Sequence, residues 1–294
     1  MTNQIVGMGL AATMVVGMFA GGASAQDAKK KVLFLTKSEG FEHSVIARKK
    51  ETPEKLSFAE QVLVEFAAKK GYEVTCTKDA KKFVDEMGNY DVLAFYTTGN
   101  LTKDSKDGGA GMTPEQKEKL LSAIKNGKGV IGFHSATDTF HGGNKVDGFT
   151  TMMGGEFLTH QSQQKAWMHV AFKFPGLEDL KDYEMLDEWY ANQNVNAEMT
   201  AILVQDTLAM RTDKGVWEKA YQRPMYPATW ALMSGNGRVF YTSMGHREDV
   251  WTSATFQKVV IAGLDWVAGK TNVELTPNLT KVAPGYDKTT IEIK

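Results

Sequence analysis

Disulfide bonding has no basis in this sequence, because the 294-residue chain contains one cysteine, Cys76. A lone cysteine has no partner for an intrachain disulfide, so the fold must be stabilised by its apolar core. Residues 72–77 have the composition of a strand, and a small buried hydrophobic side chain is the simplest interpretation of Cys76. The cysteine therefore indicates neither a disulfide scaffold nor a reactive thiol.

Neither an excess of one charge nor a long apolar run is present in the body of the chain. Lysine plus arginine (34) nearly balances aspartate plus glutamate (35), and the basic residues are scattered. This pattern excludes the basic surface that nucleic acids or anionic membranes require. We therefore expect a small-molecule ligand, neutral or polar, and no nucleic-acid partner.

The first 25 residues have the pattern of a secretory signal peptide. Residues 5–20 are apolar and uncharged, and Ala23-Ser24-Ala25 forms a small-x-small cleavage site before a polar segment. The segment before the apolar run lacks lysine and arginine, but four glycines within residues 7–21 argue against a membrane anchor. We predict cleavage after Ala25, an exported protein in the periplasm or outside the cell, and no membrane contact after cleavage.

Strand and helix patterns alternate through the first half of the chain. Apolar runs at 32–36, 72–77, 91–96 and 129–133 predict four strands, and helical patterns separate them. Thr113-Pro114-Glu115-Gln116 combines an N-cap, a proline at the first helical position and a capping-box glutamine. This order predicts right-handed βαβ crossovers and a parallel sheet, which binds ligands beyond the carboxyl ends of its strands. Loops 37–44 and 96–100 and the turn at His134 are expected to share one crevice there.

The second half predicts an α+β continuation of the same sheet. Strands are expected at 167–174 and 201–204, a hairpin at 228–233 and 238–242, and an amphipathic closing helix at 255–268. Prolines and a glycine mark the last residues as an irregular tail. The predicted organisation is a signal peptide at 1–25, one domain at 31–270 and an irregular tail at 271–294.

The most informative segment is Gly129 to Ala136, an apolar strand followed by a histidine. Gly132 and Ala136 flank His134 with small residues, as a tight strand-to-helix turn requires. We predict that His134 is presented to ligand rather than packed. An imidazole there suits proton transfer, carbonyl polarisation or metal binding, whereas the alternative is a polar cap on a buried strand end.

Three further groups of residues carry functional side chains. His160 follows the glycine turn Gly154-Gly155, Glu188 lies in Asp187-Glu188-Trp189-Tyr190, and His246 follows Gly245. Each group alone has an ordinary structural explanation, but together they place His134, His160 and His246 beside small residues at the ends of predicted elements. His169, inside a predicted strand, is interpreted as structural.

The ordered motifs of residues 31–269 resemble the ThuA-like family, named for trehalose utilisation. The motifs are Gly40-Phe41-Glu42-His43-Ser44, Tyr90-Asp91-Val92, Gly132-Phe133-His134-Ser135-Ala136-Thr137-Asp138-Thr139, Gly154-Gly155-Glu156-Phe157 with His160, Asp187-Glu188-Trp189-Tyr190, Pro227-Ala228-Thr229-Trp230, and Gly237-Arg238-Val239-Phe240-Tyr241 leading to Gly245-His246.

The resemblance implies an α/β fold, a flavodoxin-like three-layer sandwich of the class I glutamine amidotransferase type. Its central sheet is mostly parallel, with an α+β elaboration at the C-terminal side. It also implies a role related to sugars, in a family whose members are often exported and sometimes linked to 3-keto-sugar metabolism. His134 takes the elbow position where the amidotransferase superfamily carries cysteine, and Cys76 is on another strand. We therefore expect no glutaminase activity.

Two classes of function remain open, an enzyme acting on a keto-sugar or glycoside and a non-catalytic carbohydrate-binding module. In the enzyme, His134 and His246 exchange protons, and Glu188 orients a histidine or acts as base. Residues assigned to the sugar ligand are His43, Thr98, the Gly99 amide, His160, Asp187, Trp189 and Tyr190. Within this set, Thr98 and Gly99 hold hydroxyls or an oxyanion, and Trp189 and Tyr190 stack on the pyranose.

A metal-dependent enzyme is the third alternative. It would gather His134, His160, His246 and a carboxylate around a divalent ion such as zinc. The sequence has no compact His-x-x-x-His spacing to support such a site. No cofactor is therefore assigned from the sequence, and a divalent metal stays an open alternative.

Overall fold

The computed structural model describes residues 1–2, 28–143, 145–211 and 225–287, and these contain eleven strands and seven α-helices. The strands are β1 (Lys30–Leu35), β2 (Tyr72–Thr77), β3 (Val92–Phe95), β4 (Gly129–Phe133), β5 (Glu156–His160), β6 (Gln164–Val170), β7 (Tyr183–Asp187), β8 (Tyr190–Gln193), β9 (Thr200–Asp206), β10 (Met225–Ser234) and β11 (Gly237–Thr242). The α-helices are α1 (Phe58–Ala68), α2 (Ala80–Glu86), α3 (Pro114–Lys125), α4 (Gly148–Met153), α5 (Glu248–Thr252), α6 (Ala254–Val267) and α7 (Leu279–Val282).

Nine strands form one mixed sheet in the order β2-β1-β3-β4-β11-β10-β9-β6-β7. Neighbours from β2 to β11 are parallel, and those from β11 to β7 are antiparallel. The parallel half has the flavodoxin-like order, in which a crevice opens where the connections leave the sheet in opposite directions, between β1 and β3. Strands β5 and β8 pair separately. The α/β prediction and its antiparallel continuation are confirmed.

Strand alternation divides the apolar core into two layers. Val32 and Phe34 of β1 pack on one face with α1 and α6, whereas Leu33 and Leu35 pack on the other with α2, α3 and α4. Successive strand side chains point to opposite faces, so a strand covered by helices on both sides is apolar throughout. Each large buried side chain contributes about 1.5–3 kcal/mol. The result is the predicted three-layer sandwich.

Local sequence patterns predicted several helix and strand boundaries correctly. Thr113 caps α3 together with Gln116, and Asp79 caps α2 by accepting from the Lys82 amide. The strand predicted at 167–174 instead covers Gln164–Val170, because the chain enters a turn at Phe174. No pattern in the sequence predicted β7 or the β5–β8 pair.

The predicted tail contains the short helix α7 and is fastened to the sheet by Asn278. The side chain of Asn278 accepts from the Ala201 amide at 2.8 Å and donates to its carbonyl at 2.9 Å. Residues 3–27, which include most of the proposed signal peptide (1–25), lie outside the described residues, as do the last seven residues of the tail. Among the helices that are described, none has the length and apolarity needed to span a bilayer.

Candidate functional site: a histidine cluster on Glu188

Three histidines come together because they follow three parallel strands. His43 ends the loop after β1, His134 follows β4 directly, and His246 lies between β11 and α5. Carboxyl ends of parallel strands meet at one edge of the sheet, so residues distant in sequence share one crevice. The expected shared crevice is therefore formed, and Glu188, just after β7, lies within it.

The turn at His134 has the geometry of a strained elbow. His134 has a φ of 42°, in the left-handed region that non-glycine residues seldom adopt. A Cβ on Gly132 would lie 2.4 Å from the sulfur of Met153 and 3.2 Å from Cβ of Ala136, which explains the small residues around it. The expectation that His134 is presented is wrong, because its side chain is fully buried.

Glu188 is the centre of the cluster. Its Oε2 lies 3.3 Å from His134 Nε2 and 3.1 Å from His246 Nδ1, and its Oε1 lies 3.2 Å from His160 Nδ1. His134 Nε2 and His246 Nδ1 are themselves 3.2 Å apart. Burial raises the pKa of Glu188, but the hydrogen bonds and charges of the histidines outweigh it and hold this pKa well below its usual range. The carboxylate is therefore charged and shared by three imidazoles.

His43 is the fourth member of the cluster. Its ring centre lies 4.9 Å from that of His134 and 5.2 Å from that of His246. Burial, followed by the neighbouring His134 and His246, lowers the pKa of His43 to about 2, so this ring is neutral. Donor atoms of His43, His134, Glu188 and His246 all lie within 4.8 Å of one another. The metal alternative named His134, His160, His246 and a carboxylate, and the structure places His43, not His160, in the group whose donor atoms lie this close together.

Asp187 supports the cluster from behind instead of facing a ligand. Its carboxylate accepts from the Gly245 amide at 2.7 Å and from the Glu188 amide at 2.9 Å, and its side chain is fully buried. Burial raises the pKa of Asp187 to about 6. The predicted substrate-binding role is corrected, since both oxygens hold the backbone beside Glu188 and His246.

Thr98 and Gly99 also act on the backbone. Thr98 Oγ1 donates to the Phe41 carbonyl at 2.9 Å, and the Gly99 amide donates to the Asp138 carbonyl at 3.1 Å. The hydroxyl hydrogen of Thr98 and the amide hydrogen of Gly99 are therefore both engaged by backbone carbonyls, which corrects their predicted role as donors to a ligand. Thr98 instead fixes the loop that carries His43.

The two aromatic residues predicted to stack on a sugar are buried. Trp189 is 1% exposed, and its Nε1 donates to the Gln164 carbonyl at 2.8 Å. Tyr190 is 3% exposed, and its ring centre lies 4.2 Å from that of His134. Both stacking roles are corrected, because neither ring face is open to a ligand.

Phe41, which the sequence analysis did not assign, is 68% exposed and packs edge-on against His43. Its position directly before Glu42-His43 in a loop that follows a strand was the available signal.

Of the three histidines that contact Glu188, His160 and His246 are the accessible ones. Their side chains are 43% and 17% exposed, compared with 10% for Glu188 and none for His134. A pocket of about 340 Å³ reaches His246 and is lined otherwise by Ser44, Gln163, Arg247, Glu248 and Asp249. A larger groove of about 770 Å³, between Glu39 and Asp147, is lined by no member of the cluster. We therefore place ligand access at the polar His246 pocket.

Comparison with known proteins agrees with this architecture. A ThuA-like protein from Parabacteroides merdae is similar with a TM-score of 0.61 and 16% identity, covering 88% of this chain and 99% of that one. A ThuA-like protein from Bacteroides uniformis is similar with a TM-score of 0.58 and 18% identity, again covering 88% and 99%. The search of curated proteins gave no match. At these identities the structural similarities show the fold alone.

Residues 31–267 match the family model described as ThuA, trehalose utilisation. The match covers most of the chain and includes every member of the histidine cluster. The chain therefore belongs to the ThuA family.

Proposed function

We propose that this protein is an exported enzyme that modifies a carbohydrate, a keto-sugar or a glycoside, by histidine-based proton transfer at Glu188. One observation carries the proposal. Two partly exposed histidines, His160 and His246, each contact a different oxygen of the nearly buried Glu188 carboxylate. Both imidazoles have exposed side-chain surface, and the carboxylate between them stabilises whichever one is charged.

Proton transfer in this arrangement follows from the different exposure of the histidines. His134 is enclosed and donates through Nδ1 to the Ser243 carbonyl at 2.8 Å, so it orients Glu188 rather than touching a sugar. His246 and His160 are the groups able to exchange a proton with a hydroxyl or carbonyl oxygen. Positioned general acids and bases of this kind contribute about 10²- to 10⁴-fold to a rate.

The carbohydrate assignment is supported by the family and by the chemistry of the pocket. The family model is described as trehalose utilisation. The pocket at His246 offers Ser44, Gln163 and Arg247, which hydrogen-bond to hydroxyls, and exposed Phe41 supplies an apolar ring near His43. Polar groups combined with an aromatic ring suit the polar edges and apolar faces of a pyranose.

Glutaminase chemistry is not part of the proposal. The elbow residue is His134, and imidazole does not hold a stable acyl group as a cysteine thiolate does. Cys76 lies within β2, where burial raises the pKa of its thiol and opposes formation of the nucleophilic thiolate. The superfamily's acyl-transfer chemistry therefore has no nucleophile at the elbow of this chain.

The test is turnover of trehalose, related glycosides and their 3-keto derivatives, followed by mass spectrometry and NMR of the products. We expect a chemical change in one substrate class that falls about 10²-fold or more in Glu188→Gln and His160→Asn. His169→Asn is the matched control, because His169 pairs with Asp182 at 2.7 Å, away from Glu188. Saturable sugar binding without turnover would replace the enzyme with the binding-module alternative.

A further inference from the structure

We propose that His134 Nε2, His246 Nδ1, Glu188 Oε2 and a ring nitrogen of His43 bind one divalent first-row transition ion, with Zn²⁺ the first choice. These four side chains come from four separate segments of the chain, and their donor atoms lie within 4.8 Å of one another. Metal binding itself is independent of the proposed function, whereas its catalytic consequence rests on that function.

The spacing of the donor atoms fits a shared ion. Three distances are known within the cluster: 3.1 Å from Glu188 Oε2 to His246 Nδ1, 3.2 Å between the His134 and His246 nitrogens, and 3.3 Å from Glu188 Oε2 to His134 Nε2. Two ligands of a tetrahedral Zn²⁺, each about 2.0–2.1 Å from the ion, lie about 3.3 Å apart. An ion therefore fits among these three atoms with little movement, and a ring nitrogen of His43 lies within 4.8 Å of each of them.

The hydrogen-bond pattern leaves the centre short of positive charge. The Ser243 carbonyl can only accept, so His134 Nδ1 donates to it, and Nε2 faces Glu188 Oε2 either with a second proton or with its lone pair. Without that second proton, two acceptors face each other at 3.3 Å, so either a proton or a cation lies between them. A proton on His246 Nδ1 satisfies only part of this arrangement, whereas a divalent ion satisfies all of the lone pairs.

His43 provides the independent observation. Its Nε2 has only a long contact, 3.4 Å, to the Tyr190 hydroxyl, and its Nδ1 is buried without a hydrogen-bond partner among the described residues. An unsatisfied buried polar atom costs about 1–3 kcal/mol. A histidine that is 3% exposed, next to two other imidazoles, and lacking a strong partner has a donor atom available for an ion.

The surroundings resemble the outer shell of a metal site. Ligating histidines usually donate their second ring N–H to a carbonyl or carboxylate, as His134 does to Ser243. Asp187 holds the backbone amides of Glu188 and Gly245 and so fixes two ligand-bearing segments. Three imidazoles and one carboxylate suit zinc or another transition ion, rather than magnesium or calcium, which prefer oxygen ligands.

The ion would polarise a sugar oxygen, and His160 would remain for proton transfer. His160 contacts Oε1 of Glu188, whereas the cluster uses Oε2, and it is the most exposed of the histidines on this carboxylate. In the proposed enzyme, the ion would supply the positive charge beside Glu188 Oε2 that a proton on His134 or His246 otherwise supplies. His160 is then the one histidine of this group that is free of the ion.

The experiment measures metal in the full-length protein and its processed form, purified without a polyhistidine tag. We expect one equivalent of a transition ion by elemental analysis, and uptake of one equivalent of Zn²⁺ or Co²⁺ after chelation. X-ray absorption of the Zn²⁺ form should show nitrogen and oxygen ligands near 2.0–2.1 Å with imidazole scattering. This readout requires no variant and no substrate.

Variants then locate the site. His43→Ala, His246→Ala and Glu188→Gln should each weaken Zn²⁺ binding on the order of 10²-fold or more, since removing a ligand exceeds the 10- to 100-fold effect of outer-shell changes. His160→Ala should keep the ion, and His169→Ala is the control on β6. Circular dichroism checks that each variant is folded. If a variant is not folded, the X-ray absorption spectrum of the parent protein still tests the metal site.

Absence of one-equivalent uptake of either ion, or uptake unchanged in all three ligand variants, would overturn the metal site. The proposed function fails separately. A loaded protein that turns over no sugar retains the metal site and loses the proposed enzyme. Full turnover in chelated, metal-free protein retains the enzyme and overturns the catalytic role of the ion, whereas the site itself is decided by uptake alone.

Discussion

The carbonyl oxygen of Ser243 lies 2.8 Å from Nδ1 of His134, and this contact decides which way the imidazole presents its second nitrogen. Ser243 directly follows β11, whereas His134 directly follows β4, and these two strands are parallel neighbours. The pairing of two strands thus sets the tautomer of the residue at the elbow. The other ring nitrogen of His134, Nε2, contacts Glu188 and His246.

Replacement of His134 tests this contact. Because the side chain is buried, His134→Ala leaves a cavity and an unpaired Ser243 carbonyl, and we expect a loss of about 1–3 kcal/mol in the free energy of unfolding. Denaturant unfolding measures it. His169→Ala, which breaks a partly exposed ion pair, should cost less than about 1 kcal/mol. Equal stability of His134→Ala and the parent would mean that the side chain is not enclosed in solution.

Gly99 tests the approach of the two loops beside the cluster. A Cβ at Gly99 would lie 2.5 Å from the Gly40 amide nitrogen and 2.6 Å from Glu39 Oε2, at a φ of 71°. Gly99→Ala should therefore displace the loop that carries His43 and lower the midpoint of thermal unfolding. Gly108→Ala is the matched control, because φ is 84° and no atom lies within 4 Å. A larger loss in the control would show that backbone strain, not overlap, dominates.

Phe41 tests the rim of the site. Its ring is 68% exposed and contacts His43, so Phe41→Ala removes apolar surface without opening the core. If a pyranose stacks there, KM should rise by about tenfold or less, corresponding to roughly 0.5–1.5 kcal/mol, with kcat nearly unchanged. Met233→Ala, at another exposed apolar side chain, should leave both constants unchanged. Unaltered KM in Phe41→Ala would remove the ring from the substrate site.

Glu60 predicts how stability depends on pH. Its carboxylate accepts from Arg48 Nε and Nη2, Thr36 Oγ1 and the Ser57 amide. Burial raises its pKa, but the hydrogen bonds from Arg48 and Thr36 outweigh burial and lower it. A lowered folded-state pKa stabilises the fold above the unfolded value of about 4.3, and this contribution disappears as pH falls through the folded value.

Glu60→Gln should therefore cost about 3–5 kcal/mol at neutral pH, and the difference from the parent should narrow on acidification. Urea unfolding at several pH values measures both quantities. Glu65→Gln is the control on the exposed side of the same helix and should show neither effect. A pH-independent difference would indicate lost packing rather than a lost charge interaction.

Export predicts a defined amino terminus. If the first 25 residues are a signal peptide, mass spectrometry of protein from the periplasm or medium should find Gln26 at or near the new terminus. Ala25→Leu should block cleavage at this site because signal peptidase sites require small residues. An intact Met1 on protein confined to the cytoplasm would contradict export.

The sequence by itself determined the elements whose signals are local. The capping box at Thr113, the strand at 72–77 and the turn between β10 and β11 each depend on neighbouring residues, and all three are present. The alternation of strands and helices also determined the parallel sheet, because crossover connections allow few alternatives. From that sheet followed the shared crevice of the loops after β1 and β4.

Only the tertiary structure decided which side chains meet in that crevice and which are enclosed. His134 follows a tight turn in the sequence, but Tyr190 and Ser243, 56 and 109 residues away, cover and orient it. Trp189 and Glu188 are adjacent in the chain, yet one is in the core and the other holds three histidines. Burial and convergence depend on long-range packing, which a pattern of neighbouring residues does not encode.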